Sequence, residues 1–106
     1  MKTKQIIDEA SKIVSDDRQK AYGNKKANHK NIAKLWSAYL DKSVTPHDVA
    51  MLMTLLKIAR TKSGENHIDN YIDMCGYAAI AGELVEKKKP EQLEFDFENK
   101  SYGGTI

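Results

Sequence analysis

Residues 45–60 read TPHDVAMLMTLLKIAR, and residues 66–87, after a five-residue break TKSGE, read NHIDNYIDMCGYAAIAGELVEK. Thr45-Pro46 is an N-cap followed by proline at the first helical position, a strong helix start. Val49, Leu52, Met53, Leu55, Leu56 and Ala59 then make this helix the most apolar of the chain, which predicts that it is the central one. Gly64 suits a C′ position, and a second helix follows over about Asn66 to Lys87. On it Ile68, Tyr71, Ile72, Cys75, Ala78, Ala79 and Leu84 are expected toward the packed side. A break this short makes the two helices antiparallel neighbours.

Working back toward the N-terminus, Thr3 to Val14 forms a helix with Thr3 as the expected N-cap and a stripe of Ile6, Ile7, Ala10, Ile13 and Val14. Residues 15–26 are polar and without a 3.6-residue period. The next helix begins near Asn24–Asn28, carries Ile32, Leu35, Trp36, Tyr39 and Leu40 on one face, and stops around Lys42. Trp36 is expected to anchor the core. Toward the C-terminus, Lys87-Lys88-Lys89-Pro90 ends the fold, leaving residues 90–106 as an expected flexible acidic tail. The sum is an all-α, four-helix bundle over residues 1–89. Sheet formers are thin, and no Asn-Gly or Asp-Gly turn separates alternating apolar runs.

Composition narrows the function. The chain has 106 residues, 41% hydrophobic and 30% charged, with a net charge of +2. Residues 1–89 carry +5 (16 Lys/Arg against 11 Asp/Glu) and the tail −3. That is short of the basic field of a nucleic-acid binder but suits a small anionic ligand. The single Cys75 excludes an internal disulfide and is expected to be a buried thiol. No signal peptide and no ~20-residue apolar span is visible, so a cytoplasmic location is the expectation. His29, His47 and His67 follow no zinc-ligand spacing, and no Gly-rich phosphate loop is present.

Two groups of residues can carry chemistry. Lys57 and Arg60 share a helical face just before the break, as a phosphate clamp or as cations at a helix C-terminus. Asp69, Asp73 and Tyr77 lie four apart on one stripe, and two such carboxylates can share a divalent cation. Asp73 sits among apolar neighbours and needs a partner or a metal. Antiparallel packing puts the cations within reach of the acids, which supports either a salt-bridge cluster or a cation-plus-metal site around a phosphate. The segment Asp16-Asp17-Arg18-Gln19-Lys20-Ala21-Tyr22-Gly23 is a third dense stretch. It reads either as a solvated connection or as a closure over a ligand by charge and ring stacking.

These residues carry a resemblance. Asp17-Arg18-Gln19 with Tyr22-Gly23, Asn28, Leu35-Trp36-Ser37-Ala38, Thr45-Pro46 with Val49-Ala50, Leu55-Leu56-Lys57-Ile58-Ala59-Arg60 and Asp69-Asn70, Asp73, Gly76-Tyr77 resemble a family of small phage-encoded proteins. That family is similar, more remotely, to the MazG-like all-α nucleoside triphosphate pyrophosphohydrolases and to a nucleotide-modification-associated domain of phages. The resemblance implies a MazG-like bundle that binds a nucleotide, with Mg²⁺ held by Asp69 and Asp73. A homo-oligomer is expected separately, because a domain this small with Met- and Ala-rich third and fourth helices gains core by pairing. The resemblance places Lys57, Arg60 and Arg18 on the phosphates, Tyr22 and Asn28 on base or ribose, and Tyr77 beside them. The implied reaction is pyrophosphohydrolysis. The glutamate-rich E-E-x-x-E-type motif of those enzymes is missing, since the helix over 46–60 has only Asp48. A site that binds without cleaving, for instance a sponge for a nucleotide signal of host immunity, tolerates that loss better. A helical interaction module is the remaining alternative. In the tail, Gln92-Leu93-Glu94-Phe95-Asp96-Phe97 is similar to peptides that dock on the replicative sliding clamp.

Overall fold

The computed structural model describes residues 1–15 and 24–85. They form four helices: α1 (Thr3–Ile13), α2 (Lys25–Leu40), α3 (Pro46–Arg60) and α4 (Ile68–Val85). There is no strand among the described residues, so the all-α class holds. The expected tail, the segment from Asp16 to Gly23 and the clamp-like stretch 92–97 lie outside them.

Local chemistry sets the helix ends. Asn24 caps α2, its Oδ1 accepting from the amides of Lys26 and Ala27 at 2.9 and 3.1 Å. Asp41 ends that helix in the left-handed conformation, φ 55°, which aspartate tolerates better than most residues. Ser37 then knits the following loop, its hydroxyl accepting from Val44 N at 2.8 Å. Thr45 caps α3 reciprocally with Asp48. The Asp48 amide donates to Thr45 Oγ1 at 3.0 Å and the Thr45 amide to Asp48 Oδ2 at 2.9 Å.

Two expected caps move. The N-cap of α1 is Lys2, with Thr3 already helical; Gln5 Oε1 accepts from the Lys2 amide at 2.7 Å and does the capping from inside the first turn. Gly64 has φ +63° as foreseen, but α3 is capped earlier, at Thr61, so the glycine serves the turn and not the C′ position.

Helices α3 and α4 pack on each other along their length, α2 lies against α3, and α1 against α4. The antiparallel pairing of α3 and α4 is thus observed. Ala50, Ile80 and Ala81 form its buried cluster, with Val14, Tyr77 and Leu84 packed against them. Gly76 is buried beside Val14, the residue that ends α1, where a Cβ would meet Val14 Cγ1 at an ordinary contact distance of 3.5 Å.

The apolar faces are distributed differently from their periodicity. Of α3 only Val49 and Ala50 are buried, while Leu52, Leu55 and Leu56 remain exposed. On α2 the buried residues are His29 and Ala33, and Leu35, Tyr39 and Leu40 point outward. On α4 the inward set is Asn70, Ile72, Gly76, Ile80 and Ala81, with Ile68, Tyr71, Ala78 and Ala79 exposed. Trp36 and Cys75 are half-buried rather than core residues. Periodicity finds an apolar stripe but does not say which neighbour covers it.

Candidate functional site

The central observation sits where the antiparallel seam carries charge. From the contact of Ala50 with Ile80, seven residues forward on α3 and seven back on α4 lead to Lys57 and Asp73, two helical turns away on the same seam. Their Nζ and Oδ2 are 3.0 Å apart, with side chains only 13% and 31% exposed. Lys57 can reach this position because its long aliphatic stem covers apolar surface while the ammonium stays at the edge. Asp73, the acid that most needed a partner, has found one.

The other residues of the expected site are more open. Arg60, one turn beyond Lys57, and Asp69, one turn before Asp73, are both exposed and form no ion pair with each other. They stand one helical turn from the shielded pair on α3 and α4, and neither forms an ion pair among the described residues. Tyr77, four residues beyond Asp73, is half-buried. It packs against the Ala50–Ile80–Ala81 cluster, its ring 6.3 Å from that of His29 at an interplanar angle of 56°. Asn28 is exposed on α2. Arg18 and Tyr22 lie outside the described residues.

The donor set bears on Mg²⁺. Among the described residues no group of three His, Cys, Asp or Glu side chains converges as a metal site. Asp69 and Asp73, one turn apart on α4, offer two carboxylates. One or two carboxylates completed by substrate phosphates and water is a normal Mg²⁺ set.

Sequence reading missed a second polar assembly at the far end of α4. Glu83 lies 3.5 Å from Lys25 Nζ and 3.9 Å from Lys26 Nζ. Nearby on α2, His29 is 6% exposed, with Nδ1 2.7 Å from the Lys25 carbonyl and Nε2 buried without a hydrogen-bond partner among the described residues. An open cavity of about 970 Å³ is lined there by Asn24, Lys26, Lys30, Thr45, His47 and Leu84, among others. Its residues come from three separate segments, so no local motif announces them. A second, apolar groove of about 580 Å³ runs between α2 and α3.

Among the described residues one titratable group is displaced from its ordinary value. The Asp48 carboxyl is held low by the hydrogen bond from the Thr45 backbone amide, then by the Thr45 hydroxyl. It belongs to the cap of α3. No described helix is long and apolar enough to cross a membrane.

Comparison with known proteins places this architecture among phage proteins. Residues 5–85 match a family described as a domain of unknown function, DUF6378. The chain is similar to the Gene 55 protein of Mycobacterium phage D29, 43% identical over 82 residues, covering 77% of this chain and 54% of that protein. It is also similar to the Gene 55 protein of Mycobacterium phage L5, 43% identical over 91 residues, covering 85% and 56%. The chain thus spans about half the length of these relatives. No solved structure matches.

Proposed function

The chain belongs to the phage-encoded DUF6378 family, and from that premise we propose that it binds a nucleotide inside the host cell, at the Lys57–Asp73 seam, through its phosphates. The observation that supports this reading is the 3.0 Å pair itself, shielded between two helices and flanked by exposed Arg60 and Asp69. A lysine and an aspartate that already neutralise each other can exchange partners with an incoming metal–phosphate unit at little net electrostatic cost. Asp73 would release the ammonium and hold the cation, and Lys57 would hold a phosphate oxygen. Arg60 supplies a planar fork for a second phosphate, and Asp69 a further carboxylate.

In the MazG-like reading, which remains part of this proposal, Mg²⁺ between the two aspartates and the phosphates would neutralise charge and activate a water for attack on phosphorus. Lys57 and Arg60 would orient the phosphate chain, with Arg18, Tyr22, Asn28 and Tyr77 as further substrate contacts. Pyrophosphohydrolysis is the reaction this set serves by default. The second reading is sequestration without cleavage, in the manner of a sponge for a signalling nucleotide. It is favoured by the donor set among the described residues, where no three acidic or imidazole side chains converge as a two-metal site would need.

Titration calorimetry with a panel of nucleoside triphosphates and cyclic nucleotides, with and without Mg²⁺, followed by chromatography of the ligand, tests both readings. Binding with release of pyrophosphate and monophosphate supports the hydrolase. Binding with the ligand recovered intact supports sequestration and ends the hydrolase reading. No heat and no thermal shift with any nucleotide ends the proposal and leaves a helical interaction module.

A further inference from the structure

The apolar groove between α2 and α3 is lined only by Trp36, Tyr39, Leu40, Leu52, Met53 and Leu56. Around it the described chain leaves large side chains in the open: Tyr39 is 89% exposed, Leu35 62%, Leu55 56% and Leu40 52%. Met51, Leu52, Leu56 and Ile58 are each exposed by 42–45%. Single exposed leucines are ordinary, but this many large apolar side chains left open on two helices packed on each other mark an interaction surface.

We infer that this face is covered by a second copy of the same chain, packed about a two-fold axis with α2 and α3 of each protomer against α2 and α3 of the other. Area is the first argument. Eight large side chains at these exposures offer on the order of 700–800 Å², close to the ~800 Å² per partner of a standard stable interface.

Stability points the same way. The buried apolar set of the described residues is Ala10, Ala33, Val49, Ala50, Ile72, Ile80 and Ala81, four of them alanines, and Val49 is the only large side chain that is fully buried. A core this thin among the described residues gives little to offset the conformational entropy of folding, and covering this face would add the apolar burial it lacks.

Shape and charge fit a self-complementary contact. Leu52 and Leu56 line the groove, while Met51, Leu55 and Ile58, at i, i+4 and i+7, form a ridge beside it on the same helix. A ridge and a groove side by side on one face interdigitate with their own copy across a two-fold and close the assembly. The charges within residues 35–42 and 48–58 are Asp41, Lys42, Asp48 and Lys57, two of each sign, which selects neither a charged partner nor an anionic lipid surface.

Sedimentation equilibrium of the 106-residue chain tests this, with emission from the single tryptophan, Trp36, as a reporter inside the groove. The expected mass is twice the 12.0 kDa chain at micromolar concentration, with Trp36 emission moving to the red on dilution. Tyr39→Ser removes a side chain with almost nothing to lose in the isolated protomer. It is expected to weaken association at least tenfold with helical circular dichroism unchanged at concentrations where the dimer persists. A 12.0 kDa species at all concentrations overturns the proposal: with blue-shifted Trp36 emission the face is covered from within the chain, and with red-shifted emission it is bare. A dimer whose affinity ignores both Tyr39→Ser and Leu55→Glu overturns the assignment of the face.

Discussion

In its first half α4 holds Asp73 3.0 Å from Lys57 of α3; near its end it holds Glu83 3.5 Å from Lys25 and 3.9 Å from Lys26 of α2. The first contact is one-to-one, short, and shielded on both sides. The second divides one carboxylate between two ammonium groups at lengths beyond a hydrogen bond, with Glu83 40% exposed. Both are inter-helix charge pairs, yet only the first fixes a geometry. The second balances charge where Lys25 and Lys26 of α2 meet Glu83 of α4, and the Glu83 oxygen nearest Lys25 is buried without a hydrogen-bond partner among the described residues. A site that must present a cation and an acid in fixed relation belongs at the first, which is why the phosphate proposal rests there and not at the larger basic cavity.

Removing Lys57 should break this comparison most strongly. Lys57→Ala leaves Asp73 two-thirds shielded without its counter-ion, and unfolding free energy should fall by about 1–2 kcal/mol, below the 3–5 of a fully buried pair because water still reaches Asp73. Urea denaturation measures it. In the same variant nucleotide affinity should drop at least tenfold. Asp73→Asn separates the two binding readings by sign. If Asp73 only restrains Lys57, freeing the ammonium tightens binding of a metal-free nucleotide; if Asp73 also holds Mg²⁺, the Mg²⁺-dependent part of the affinity disappears.

Next in size is Thr45→Ala. It removes the hydroxyl that accepts from the Asp48 amide and should cost about 1 kcal/mol, read from the shift in thermal midpoint. Because α3 is the helix that positions Lys57, this variant also asks whether the charged seam survives fraying at the other end. Unchanged nucleotide affinity would show that it does. Glu83→Gln should move stability by no more than about 0.5 kcal/mol, as expected of a partly exposed shared pair. A loss as large as that of Lys57→Ala would erase the distinction between the two ties.

The features legible in the sequence were those with local causes. Thr45-Pro46 announced α3 because cap chemistry acts within one turn, and the five-residue break made α3 and α4 antiparallel, which brought Lys57 to Asp73. What stayed hidden depends on which surfaces meet. The stripe of Leu35, Trp36, Tyr39 and Leu40 was visible, but periodicity is the same whether a stripe faces its own core or another molecule. His29 offered no signal beyond its identity, and its burial against Tyr77 follows from how α2 lies across α4. Lys26, Lys30 and His47 meet at one cavity only because the N-termini of α2 and α3 come together.

The smallest expected effect concerns pH and comes from outside both ties. The Thr45 amide and hydroxyl hold the Asp48 carboxyl below its ordinary value of 3.8 in the folded chain. A depressed folded-state pKa contributes stability that is present above the unfolded value and is lost as pH falls through the folded one. The cap of α3 should therefore be indifferent to pH from neutrality down to about 4 and weaken below that. Asp48→Asn keeps a side-chain acceptor but cannot titrate, so its stability difference from the parent chain should shrink as pH falls from 5 to 3 in parallel denaturation curves. If the difference stays constant across that range, Asp48 is not protonating and its carboxylate does not set the acid response of the cap.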